Sequence, residues 1–229
     1  MNPDRNTPRL LGAAQLVVAI AAMVSGLLLM SVVGTGSTSE MLENVSSNLG
    51  LMRLSIVFEL VNSSAILVLG ALFYIVFYKQ YRIIALVALG FYWAEGITLA
   101  VSKIGAFALM PLSLRFIEAG SPRGSYFQSM ADFLYTGFVR VGYDLHMVFF
   151  CLGAVLWYYL LVRSRYIPRV LSLWGLVAVC LVSINTLLAL LKPATSYLSL
   201  LLAPYIPFEL VLGVWLVVKG FDPPMYASG

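Results

Sequence analysis

The chain has 229 residues, 61% of them hydrophobic and only 10% charged, with a formal net charge of +4 and a mean hydropathy of +0.94. That composition lies outside the range of soluble domains and excludes a water-solvated globular core. The basic residues sit in short loops rather than in a patch or tail, which excludes a nucleic-acid partner and points to membrane topology.

At roughly 20 to 25 residues per span, the length accommodates about six transmembrane helices and no separate soluble domain. The expected fold is therefore an all-α polytopic bundle, one membrane domain over residues 1–229. The first span is placed at 10–33; its apolar run is too long for a signal peptide, which favours a retained helix. Residues 34–50, Ser-rich with Glu40 and Glu43, read as a loop. The second span, 51–78, carries Glu59, Asn62, Ser63 and Ser64, and a tight basic turn from Lys79 to Arg82 follows. The third span, 83–109, holds Glu95 near its middle and Lys103 near its far end, where a surface position is expected.

The stretch from Pro111 to Asp132 is expected to be the longest connection, lying at the membrane surface. The fourth span, 133–162, places Arg140, Tyr143, Asp144 and the chain's only histidine, His146, inside an apolar helix. The fifth, 169–191, opens after Pro168, which suits a first helical turn, and contains Asn185. The sixth, 198–218, holds Pro204, Pro207 and Glu209. Cys151 and Cys180 fall within spans and are expected to pack as small apolar side chains.

Arg5, Arg9, Lys79, Arg82, Arg163, Arg165, Arg169 and Lys219 fall on one side of this topology. Arg53, Lys103, Arg115, Arg123 and Lys192 fall on the other, together with Glu40, Glu43, Glu118 and Asp132. The positive-inside rule then puts both termini in the cytoplasm, which requires an even number of spans.

Two runs carry a family resemblance: Tyr158-Tyr159-Leu160-Leu161-Val162-Arg163-Ser164-Arg165-Tyr166-Ile167-Pro168-Arg169-Val170-Leu171-Ser172-Leu173-Trp174-Gly175-Leu176 and Phe208-Glu209-Leu210-Val211-Leu212-Gly213-Val214-Trp215-Leu216-Val217-Val218-Lys219-Gly220-Phe221. They resemble the bacterial membrane-protein family catalogued as domain-of-unknown-function family 4386. Glu59, Asn62 and Glu95 also resemble that family's polar positions. An arginine expected shortly before Glu95 is replaced here by Phe91-Tyr92-Trp93-Ala94. The resemblance implies a multi-pass protein of a bacterial inner membrane and supplies no reaction.

Ionisable groups within a bilayer are costly unless paired or hydrated, so they mark candidate sites. Glu59 and Asn62, at i and i+3, share a helix face, and Arg140 and Asp144, at i and i+4, are within reach of an intrahelical ion pair. The candidate ligand-binding set is Glu59, Asn62, Glu95, Arg140, Tyr143, Asp144, Asn185 and Glu209. Their similar depths predict one pocket open to the outside. In it four carboxylates would face a central Arg140, so some acids must carry protons or a cation must neutralise them. Phe91, Tyr92, Trp93, Tyr143, Phe149, Trp157, Tyr158 and Tyr205 are candidate walls, of which those near span ends, such as Tyr158, read with Trp174 rather as interfacial belt residues. A lone histidine does not make a metal site, so none is expected, and no motif specifies a cofactor.

Three functions follow. The first is binding or translocation of protons, a small cation or a cationic amphiphile, for which helix breaks at Pro204 and Pro207 are suggestive. The second is a membrane-embedded acid/base enzyme acting on a lipid or isoprenoid, without any nucleophile motif or phosphate loop to support it. The third is a structural or sensory protein whose polar core holds helices together. The expected partners are the lipid bilayer and a small amphiphilic or cationic ligand.

Overall fold

A computed structural model describes residues 6–122, 124–191 and 200–221. Of the residues counted for orientation, Arg5, Arg123 and Lys192 lie outside them, as do 198 and 199 of the sixth span. The described chain is helical throughout: α1 (Thr7–Val33), α2 (Thr38–Ser47), α3 (Leu49–Glu118), α4 (Tyr126–Asp132), a π-helical segment (Phe133–Arg140), α5 (Val141–Ser164), α6 (Arg169–Leu191) and α7 (Tyr205–Val218). Among the described residues five helical stretches are long and apolar enough to cross a membrane. One of them, the 70-residue α3, holds two crossing segments.

Tyr81 (φ −136°, ψ 46°) breaks the helical path of α3 and folds it into two antiparallel arms, residues 49–80 and 82–118. Contacts step away from Tyr81 evenly on both arms. A Cβ on Gly70 would lie 3.1 Å from Tyr92 Cβ, Trp93 Nε1 donates to the Leu67 carbonyl at 3.2 Å, and Lys103 meets Glu59. Six crossing segments result, as hydropathy predicts, and the chain forms a helical membrane bundle. A Cβ on Gly220 would lie 3.8 Å from Pro8 Cβ, so α1 and α7 begin and end at one end of the bundle. Tyr166 ties its turn to the same end, stacking on Phe77 at 5.6 Å and packing against Phe221 at 5.3 Å.

Two connections read as irregular are helical. Ser37 and Glu40 form a reciprocal capping box that starts α2, satisfying two backbone N–H groups that a helix start leaves open. Met41, Leu42 and Val45 are then buried against the ends of α1 and α3. The long connection expected from Pro111 to Asp132 shrinks to residues 119–125, because α3 runs through Pro111 to Glu118. Ser113 and Phe116 are fully buried there, so an apolar face with a period near 3.6 carries the helix past its proline. α2 and α4 meet through Gln128 Nε2, which donates to Ser39 Oγ at 3.1 Å, while Phe116 and Phe127 pack edge to face beneath them.

The apolar interior is in two parts. One, around Phe73, Phe77, Tyr92, Trp157, Tyr158 and Phe208, fills the half towards the Tyr81 turn. The other, around Leu42, Met52, Ile56, Leu109 and Phe116, fills the end covered by α2 and α4. Between them lies a buried layer of polar side chains.

Candidate functional site

The polar layer is built by three crossing segments. On α1, Ser25 Oγ donates to Glu59 Oε2 at 2.7 Å. On the first arm of α3, Asn62 Nδ2 donates to Glu59 Oε1 at 2.9 Å, as their i, i+3 spacing predicts. From the second arm, Lys103 Nζ lies 3.4 Å from Glu59 Oε2. Ser55 Oγ donates back to the Ser25 carbonyl at 3.0 Å, while the single Ser25 hydroxyl proton goes to the closer Glu59. Glu59, Asn62 and Lys103 are 7%, 4% and 4% exposed, so this is a desolvated ion pair whose acid also accepts two hydrogen bonds. Such a pair holds together only when the remaining lone pairs are satisfied. Close approach makes this possible. A Cβ on Gly96 would come within 2.9 Å of the Ser63 carbonyl, and one on Gly142 would collide with Ser102, so small residues bring the helices near enough for short side chains to bond.

Lys103 is therefore not at the surface, and Arg140 is not the central cation. The helix expected to end near Leu109 continues to Glu118, which moves Lys103 well inside. Arg140, Tyr143 and Asp144 are exposed instead, and no ion pair joins Arg140 to Asp144. They lie where the chain leaves the π-helical segment, whose i→i+5 bonding shifts the register of the helix face. His146, in contrast, is buried and stacks edge on to Tyr143 at 4.5 Å. It lies within electrostatic range of both Glu59 and Lys103.

A second polar group occupies the half of the bundle towards the Tyr81 turn. Gln15 Nε2 of α1 donates to Glu209 Oε1 at 2.9 Å, and Tyr205 OH donates to the same oxygen at 3.0 Å. Tyr158 and Tyr205 share a hydrogen bond of 2.9 Å. Since Tyr205 gives its proton to Glu209, Tyr158 is the donor to Tyr205. The two tyrosines and Glu209 thus form a directed chain. Tyr158 is fully buried and is not a belt residue; Trp174, half exposed, donates from Nε1 to the Pro204 carbonyl at 3.2 Å. That bond caps a break: α7 starts only at Tyr205, so Tyr205 and Glu209 sit near a helix start inside the bundle. Its 14 residues reach only about 21 Å, and the preceding residues 200–202 continue as a 3₁₀ turn.

Glu95 stands beside this chain and is the least satisfied acid. It is 5% exposed, its Oε2 has no hydrogen-bond partner, and no described Lys or Arg is within 4.0 Å of it. Glu209 lies within its electrostatic range, as does the Cys151 thiol, which donates to Thr186 Oγ1 at 3.5 Å. Tyr92, one turn earlier, is buried at 3% exposure against Trp157. The surroundings are close packed, since a Cβ on Gly153 would come within 2.5 Å of the Tyr92 ring.

The eight candidate residues thus do not converge on one pocket. Glu59 and Asn62 belong to the ion-pair layer, Glu95 and Glu209 to the tyrosine-lined group, and Arg140, Tyr143 and Asp144 to the outer surface. Asn185 is half-buried with an unpartnered Oδ1, and no hydrogen bond or ion pair joins it to the rest. The single open pocket expected from the sequence is not formed, and the end of the bundle under α2 and α4 is filled by an apolar cluster. Sequence reasoning missed Gln15, Ser25 and Ser55. The first two are conspicuous polar positions in the apolar run Leu10–Val33, which was available as a signal.

No curated protein and no solved structure matches the chain. The family model described as Domain of unknown function (DUF4386) matches residues 10–220. The membrane-crossing helices and that match agree, and the chain belongs to the DUF4386 family.

Proposed function

We propose that the chain is a multi-pass protein of a bacterial inner membrane that binds a proton or a small monovalent cation at Glu95 and Glu209, with protons reaching Glu209 along the Tyr158–Tyr205 chain. The observation that carries this reading is Glu95 itself: a buried carboxyl group with an unpartnered oxygen, beside a second acid and away from any described basic side chain. A bare carboxylate at such a site costs several kcal/mol or more. A proton or a small cation supplies the missing charge with little added volume. The tight packing at Gly153 and Tyr92 favours such an occupant over a cationic amphiphile, and over the long substrate of a lipid-processing enzyme.

Two further features support the reading. The α7 start at Tyr205 lies within the bundle, as do the broken helices at ion sites of many transporters. The directed chain Tyr158, Tyr205, Glu209 offers hydroxyls that hand on a proton without moving helices. The bias of basic residues towards the Tyr81 end supports placing that end in the cytoplasm. The Glu59–Lys103 layer is already balanced in charge, which supports an architectural role for it.

Purified protein in liposomes with an entrapped pH dye tests the proposal. The wild type is expected to dissipate an imposed pH gradient, or to exchange protons for external Na⁺ or K⁺, and Glu95→Gln to do neither. Equal gradients in the wild type, the variant and empty liposomes would refute translocation.

A further inference from the structure

We infer that the turn between α5 and α6 holds the phosphate of an anionic phospholipid headgroup. Val162, Arg163, Arg165, Arg169 and Leu173 line a recess of about 360 Å³ there. Three arginines on one recess suit a phosphate, because a guanidinium presents a planar fork of N–H donors that matches phosphate oxygens.

The arginines are mounted on a rigid frame. Arg163 lies in the last turn of α5. Arg165 caps that helix in the left-handed region (φ 57°), its N–H bonded to the Leu161 carbonyl at 3.3 Å. Arg169 opens α6. Between them Tyr166 and Ile167 are 5% and 1% exposed, and Tyr166 is held by the rings of Phe77 and Phe221. The turn is anchored from below, so the recess is set before any ligand arrives and little ordering cost is left to binding.

Charge and shape both select the ligand. None of the three arginines forms an ion pair with a described residue. The described acids outside the crossing segments, Glu40, Glu43, Glu118 and Asp132, lie at the opposite end of the bundle. Val162 and Leu173 give the recess an apolar side, and Leu173 with its neighbour Val170 is exposed on the outer face of α6. A phosphate carrying acyl chains can lay them on that face while the arginines take its headgroup. A free phosphate gains only the second contact. Basic recesses between helices on the cytoplasmic side are suited to such headgroups in general.

The test is native mass spectrometry and thermal melting of the full chain in a neutral detergent, with phosphatidylglycerol, phosphatidylcholine or inorganic phosphate added. Phosphatidylglycerol is expected to remain bound and to raise the melting temperature, whereas phosphatidylcholine does neither. In Arg165→Gln/Arg169→Gln the affinity for phosphatidylglycerol is expected to fall roughly tenfold or more. Should that variant not fold, Arg165→Lys/Arg169→Lys keeps the charge and loses the forks. It is expected to bind several-fold more weakly, and unchanged affinity there overturns the arginine site. Equal binding of phosphatidylcholine, or unchanged affinity in the Gln variant, overturns the proposal. Stabilisation by inorganic phosphate that also displaces the lipid overturns the lipid as the source of the phosphate.

Discussion

Lys103 Nζ stands 3.4 Å from Glu59 Oε2, across the two antiparallel arms of one bent helix and between two separate apolar clusters. The pair locks the register of the hairpin at the point where apolar packing is interrupted. Removing one partner leaves an uncompensated buried charge, and Lys103→Met is expected to destabilise the protein by about 3–5 kcal/mol. Glu59→Gln/Lys103→Met removes both charges and is expected to recover most of that loss. Thermal melting of the three proteins in one detergent decides it, and a double variant no more stable than the single one would show that the pair is not the relevant unit.

α1 and α7 touch backbone to backbone. A Cβ on Gly12 would come within 2.6 Å of the Gly213 carbonyl and 2.8 Å of the Val217 nitrogen. Backbone cannot swing aside as a side chain can, so Gly12→Val is expected to separate the helices and cost about 1–3 kcal/mol or more. The same separation breaks the Gln15–Glu209 hydrogen bond. Gly26→Val, on the same helix where nothing lies within 4 Å, is expected to leave melting unchanged.

The capping box on α2 is exposed and remote from the polar groups. Ser37→Ala removes an acceptor for the Glu40 N–H and is expected to cost about 1 kcal/mol. The loss is expected as faster hydrogen exchange at residues 38–42, with liposome flux unaffected.

If the tyrosine chain passes protons, its hydroxyls matter and its rings do not. Tyr205→Phe retains the packing against Phe150 and Phe208 while cutting both hydrogen bonds of the chain. Flux is expected to fall by roughly 10²-fold, the range usual for loss of a positioned proton-transfer group, with a small change in melting temperature. Wild-type flux in this variant would remove the tyrosines from the pathway.

Hydropathy and the helical period carried much of the architecture. The six crossing segments, the basic turn at Tyr81 and the shared face of Glu59 and Asn62 were all legible, because each rests on local pattern. What was not legible depended on contacts distant in sequence. The burial of Lys103 follows from a helix that runs past Pro111 because Ser113 and Phe116 are buried by other elements. The outward turn of Arg140 and Asp144 follows from a π-helical segment against which Gly105 packs, its Cβ direction meeting the Leu134 carbonyl at 2.6 Å. The α2 capping box was readable from Ser37 and Glu40 alone.

The most direct measurement is infrared difference spectroscopy of the purified protein in H₂O and D₂O, wild type against Glu95→Gln, without and with Na⁺ or K⁺. The account predicts a carboxylic-acid C=O band at neutral pH that shifts in D₂O and is absent from the variant, or a cation-induced carboxylate band that only the wild type shows. Identical spectra from the two proteins under every condition would mean that nothing neutralises the Glu95 carboxyl, contradicting the proposed site.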